Sequence, residues 1–149
     1  MKNEPFVIER TLNAPVAKVW KAITDKGEMK QWYFDIAEFK PEVGFEFHFS
    51  AGTKDKKYRH LCKITEVITG KKLSYSWRYD GYPGNSTVTF ELFEEGNNTR
   101  LKLTHTGLET FPKDDDASFA AESFAKGWTH SIGSALPAFV EKETVSDDY

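Results

Sequence analysis

The chain has 149 residues, with 20 basic and 23 acidic side chains intermixed for a formal net charge of −3. That length suits one domain spanning 1–149, large enough for a real core. The charge balance offers no basic face for nucleic acid, and no apolar run is long enough for a membrane span. Cys62 is the only cysteine, so no disulfide can close within the chain. With no leader-like apolar run after Met1, the expectation is a cytoplasmic protein. Twelve Phe, six Tyr and four Trp make 15% of the sequence aromatic, material for a core or for the walls of a ligand cavity.

Phe6 to Leu12 reads as a strand, closed by Asn13-Ala14-Pro15. Pro15 is expected at the first position of a helix, where its missing N–H costs nothing. Val16, Val19, Trp20 and Ile23 then fall on one helical face. Asp25, with Glu28 three residues later, has the form of a capping box for a second short helix carrying Met29, Trp32 and Tyr33.

From Phe34 to Gly107 the hydrophobic period becomes two. Phe45, Phe47 and Phe49 alternate with Glu46 and His48, and Tyr58 to Val67 makes a longer strand. Leu73, Tyr75, Trp77 and Tyr79, then Val88, Phe90 and Leu92, then Leu101, Leu103 and His105 repeat the pattern. Short turns such as Thr69-Gly70-Lys71-Lys72 and Glu95-Gly96-Asn97-Asn98 join them, which predicts an antiparallel meander with one buried face. The lysines from Lys54 to Lys57 read as a solvated turn.

From about Ser118 to Glu141 the pattern is helical, with Phe124, Trp128, Ile132, Ala135, Leu136 and Phe139 as its apolar stripe. Asp114-Asp115-Asp116 precedes it. Those aspartates read as helix-start electrostatics in preference to a metal site. Pro137 should kink or weaken the last turns, and the tail after Lys142 should fray. The fold class is therefore α+β: a curved antiparallel sheet of about six to seven strands around one long C-terminal helix, with two short helices after the first strand.

The residues that punctuate this order resemble those of the START-like, or SRPBCC, superfamily with its helix-grip fold. The resemblance is carried by Glu9-Arg10-Thr11-Leu12-Asn13-Ala14-Pro15, Val19-Trp20-Lys21-Ala22-Ile23-Thr24 and Gln31-Trp32-Tyr33. Leu73-Ser74-Tyr75-Ser76-Trp77, Leu103-Thr104-His105-Thr106-Gly107 and Gly127-Trp128 add to it. Within the superfamily the chain is most similar to the AHSA-like group, bacterial homologues of the activator of the ninety-kilodalton heat-shock protein ATPase. The resemblance implies the fold over nearly the whole chain. For function it implies a choice among lipid carriers, receptors, polyketide cyclases and co-chaperone domains. The N-terminal chaperone-binding domain of the eukaryotic activators has no counterpart in these motifs.

No histidine pair has metal-ligand spacing, and there is no phosphate loop or nucleophile elbow, so neither metal nor cofactor is expected. His48 should be exposed and His130 should sit on the polar flank of the last helix. His105 shares phase with Leu101 and Leu103 and should point inward. It is either a hydrogen-bonded core histidine or the polar group of a pocket. Cys62 is expected to be a small buried thiol. The candidate walls of a cavity between sheet and helix are Phe47, Phe49, Cys62, Tyr75, Trp77, Phe90, Phe124, Trp128 and Ile132, with His105 as the polar member. The expected function is binding of a small hydrophobic molecule, lipid-like or aromatic. A cyclase- or hydratase-like enzyme and a chaperone or stress-response interaction protein are the alternatives, in a monomer or weak homodimer.

Overall fold

A computed structural model of the chain describes residues 5–34, 36, 38–52, 57–112, 119 and 121–141. The aspartate run 114–116, the lysines 54–56 and the tail from 142 lie outside them. Strand β1 (Phe6–Leu12) leads into helices α1 (Val16–Thr24) and α2 (Lys26–Trp32). Five strands follow: β2 (Glu46–Gly52), β3 (Lys57–Ile68), β4 (Lys72–Tyr79), β5 (Ser86–Glu95) and β6 (Asn98–Thr106). The C-terminal helix runs as α3 (Ala121–His130), a π-helical turn (Ser131–Ala135) and α4 (Leu136–Val140).

The six strands form one antiparallel sheet in the order β1-β6-β5-β4-β3-β2. Each strand from β2 to β6 pairs with the next, and β1 returns beside β6 with Phe6 opposite His105. Strand pairing begins at Glu46 and not at Phe34 as the alternation suggested. Pro41 cannot donate to a ladder, and Gly44 sits at φ 93°. That segment still fills the core with Ile36 and Phe39.

Two helix starts differ in detail from expectation, each for a local reason. Pro15 is the cap preceding α1 instead of its first residue, and its carbonyl accepts from the N–H groups of Lys18 and Val19. Asp25 does cap α2, its Oδ2 accepting from Glu28 N at 3.0 Å. The reciprocal half of a capping box is missing because Asp25 N–H already closes α1 on Lys21 O. The Glu28 carboxylate instead meets Lys21 Nζ at 3.4 Å.

The C-terminal helix packs its stripe on the inner face of the sheet, with Phe124, Trp128, Ile132, Leu136 and Val140 buried. These residues are spaced by four throughout. In a regular α-helix a step of four turns about 40° past the starting face, so such a stripe drifts. The wider π-helical turn holds it on the sheet, with Leu136 N–H donating to Ser131 O. The same turn accommodates Pro137, which lacks an N–H and would crowd a regular preceding turn. The proline was expected to kink or weaken the helix; it is absorbed by a local change of winding.

Candidate functional site

A cavity of about 520 Å³ opens between β3, β4 and the C-terminal helix. Tyr58 and His60 of β3 and Trp77 and Tyr79 of β4 form its floor, with Ala51 of β2 at one side. Phe119, Ser123, Phe124, Gly127, Trp128 and Ser131 supply the helical wall, and Tyr33 and Phe34, just past α2, close the remaining side. No Asp, Glu, Lys or Arg is among these residues. Among the described residues no three His, Cys, Asp or Glu side chains converge as a metal site would need.

The helix lines the opening with small residues, of which Ser123 and Gly127 are exposed and Ser131 is half-buried. Ser123, Gly127 and Ser131 follow one another at steps of four, beside the large stripe Phe124, Trp128 and Ile132. A Cβ built at Gly127 would meet nothing within 4 Å. Interiors close such gaps when side chains can move into them, and here hydrogen bonds hold the walls. Trp77 Nε1 donates to Tyr79 Oη at 2.8 Å, and Tyr33 Oη lies 2.9 Å from Tyr75 Oη. Trp128 Nε1 donates to His105 Nδ1 at 2.9 Å.

His105 is wholly buried behind the cavity wall. Its Nδ1 accepts from Trp128, so in the neutral ring Nε2 carries the proton. That nitrogen lies 2.7 Å from Ser86 Oγ, which in turn donates to the Trp77 carbonyl at 2.8 Å. Burial lowers the His105 pKa to about 3. It is thus a satisfied core histidine, the first of the two roles its phase allowed, and it does not line the cavity.

His60 does line it, buried yet with a different hydrogen-bond inventory. Nδ1 lies 3.0 Å from the Tyr58 carbonyl, which can only accept, so that nitrogen holds the proton. Burial pulls the pKa down to about 4, although the Tyr58 and Phe49 carbonyls favour the charged ring. Burial also raises the hydroxyl pKa values of Tyr33, Tyr75 and Tyr79, keeping these phenols protonated. The Cys62 thiol is pushed up by burial as well.

Of the ten residues expected to form the cavity, Trp77, Phe124 and Trp128 line it. Phe49 forms a second layer, stacked 4.4 Å from the His60 ring and 4.3 Å from Phe34. Phe90 lies behind Trp128, with ring centroids 6.1 Å apart, and Tyr75 lies beside Phe47 and Phe90. Phe47, Cys62, His105 and Ile132 are core residues away from the opening. Tyr33, Phe34, Tyr58, His60, Tyr79, Phe119 and the Ser123-Gly127-Ser131 row were not among the ten. Two signals pointed to part of this set. Tyr58 and His60 share the parity of Cys62, and the small residues repeat every fourth position beside the apolar stripe. His48 and His130 are exposed, as their positions suggested.

A curved antiparallel sheet gripping a C-terminal helix, with two short helices between its first and second strands, is the helix-grip architecture of the START-like, SRPBCC class. Residues 13–141 match the family model described as activator of Hsp90 ATPase homolog 1-like protein, and the chain belongs to that family. The solved structures it resembles include CV1439 from Chromobacterium violaceum, 24% identical, with a TM-score of 0.79 over 96% of this chain and 100% of that one. BH1534 from Bacillus halodurans is 28% identical, with a TM-score of 0.70 over 92% and 96%. CalU16 from Micromonospora echinospora is 25% identical, with a TM-score of 0.71 over 91% and 73%. No curated protein matches the sequence significantly. No helix among the described residues is long and apolar enough to cross a membrane.

Proposed function

We propose that the protein binds a small hydrophobic molecule, aromatic or lipid-like, in the cavity between sheet and C-terminal helix. The observation that carries this reading is the opening itself. Its volume of about 520 Å³ falls in the range of small-molecule sites, and aromatic side chains make up most of its wall. The helix-grip fold, which encloses such space between sheet and helix, supports it.

The test is titration of intrinsic tryptophan fluorescence with fatty acids, flavonoids and an environment-sensitive dye. Trp77 and Trp128 both line the cavity and would report its filling. The wild type should bind at least one compound saturably. Gly127→Phe, which places a ring in the open space, should abolish that binding while the protein remains folded by circular dichroism. Absence of saturable binding to the folded wild type, together with no small molecule retained in native mass spectrometry, would sink the reading and favour an interaction protein.

A further inference from the structure

The cavity holds one acceptor and one donor that no described residue pairs. Because His60 Nδ1 is spent on the Tyr58 carbonyl, the neutral ring presents Nε2 as an acceptor. No donor among the described residues reaches that nitrogen, although the side chain is only 6% exposed. The side chain lines the cavity, where a ligand can reach it. Directly opposite on β4, Tyr79 is paired with His60 in the sheet register, and the two rings lie 4.7 Å apart. Tyr79 Oη accepts the Trp77 N–H, but its own proton has no acceptor among the described residues. One side chain therefore offers a lone pair and its neighbour offers a proton.

A ligand that displaces water from the cavity must offer complementary groups to this acceptor and this donor, or leave them unpaired at a cost in free energy. A hydroxyl is the simplest group that both donates and accepts. Carboxylates cannot donate to Nε2, and among the described residues no Lys or Arg lines the cavity to offset the burial of their charge. An ammonium group could donate but could not accept from Tyr79, and it would lose its hydration among aromatic walls. Resting on the binding reading above, we propose that the ligand is an uncharged aromatic molecule bearing a hydroxyl, which donates to His60 Nε2 and accepts from Tyr79 Oη–H.

The experiment is calorimetric titration of the protein at pH 7 with naphthalene, naphthol, methoxynaphthalene and naphthoate, four probes on one ring system. Naphthol should bind roughly tenfold more tightly than the methoxy and carboxylate probes, the scale of one well-made hydrogen bond. In His60→Phe the advantage of naphthol over methoxynaphthalene should shrink to within about twofold, and in Tyr79→Phe the advantage of naphthol over naphthalene should fall roughly severalfold. If His60→Phe does not fold, the wild-type series and Tyr79→Phe still decide the matter. Equal affinity of the wild type for naphthol and for either the methoxy or the carboxylate probe would overturn the hydroxyl assignment. So would a preference for naphthol over methoxynaphthalene that survives His60→Phe, or one over naphthalene that Tyr79→Phe leaves unchanged. Naphthalene binding without discrimination leaves the cavity reading intact and removes only this assignment. Failure of all four probes to bind overturns this assignment, while the binding reading stands or falls with the fatty-acid, flavonoid and dye titration.

Discussion

Acidification should unfold this protein through two buried histidines, and His105 allows the effect to be isolated. Its ring is neutral in the folded state, with Nδ1 already occupied by the Trp128 N–H. A second proton would have to sit at that nitrogen, facing another donor. The folded pKa of about 3 lies below the ordinary 6.5, so the unfolded chain takes up the proton first as pH falls. Stability from this group is complete above pH 6.5 and drains away between there and pH 3. At about 1.36 kcal/mol per unit, linkage gives a loss of about 2.5 kcal/mol between pH 7 and pH 4.5. His60, lowered to about 4 by burial, adds a loss of similar size over the same interval. Together they would remove about 5 kcal/mol, comparable to the entire stability of many domains. The perturbation is His105→Gln, which can accept from Trp128 and donate to Ser86 without titrating. Urea unfolding followed by circular dichroism at both pH values is the assay. The variant should lose roughly half as much stability on acidification as the wild type, whatever its stability at pH 7. Equal losses in the two proteins, or a wild type unchanged to within about 1 kcal/mol, would refute the reasoning.

Two further outcomes follow from the same geometry. Gly127→Ala should raise unfolding stability by about 0.5–1 kcal/mol in urea melts, because an interior helical glycine gains a good helix former and the new methyl meets nothing; a destabilised variant would mean the space is not there. Cys62, buried and with its thiol pKa raised by burial, should resist a thiol-specific reagent in the native protein at pH 8 and react promptly in urea; prompt native labelling would place it at an accessible surface.

The sheet was legible because one face of strands β2 to β6 is largely buried, so parity alone separates Phe47 and Phe49 from His48. The long helix was legible for a similar reason, as its apolar residues share a face. What parity cannot convey is where along a strand the helix crosses. Tyr58, His60, Cys62 and Ile64 all point inward, and sequence treats them alike. The crossing leaves Tyr58 and His60 beside open space and puts Cys62 and Ile64 beneath packed side chains. Helix winding is equally non-local. Pro137 announces a disturbance, but whether it becomes a kink or a π-helical turn depends on keeping Ile132, Leu136 and Val140 on the sheet. His105 was expected either as a core histidine or as the polar member of the cavity; its ring lies behind the wall, and His60 is the histidine on the lining. Both histidines point inward, and only their three-dimensional neighbours reveal that one is satisfied and the other is not.

That difference explains how an interior so rich in aromatic residues can remain partly empty. Large rings normally rotate to fill space beside them, since each unfilled contact forfeits dispersion energy. Here Trp128 is tethered to His105, Trp77 to Tyr79, and Tyr33 to Tyr75, each by a bond of 2.8–2.9 Å. Rotating Trp128 toward the gap beside Gly127 would strand the buried His105 Nδ1 without its donor, a cost of about 1–3 kcal/mol. Collapse of the wall is opposed by hydrogen bonds on its far side. His105 therefore acts on the cavity without touching it, as the anchor that fixes the Trp128 indole. This role also accounts for an inward histidine among Leu101 and Leu103, where a leucine would pack but could not hold the wall in place.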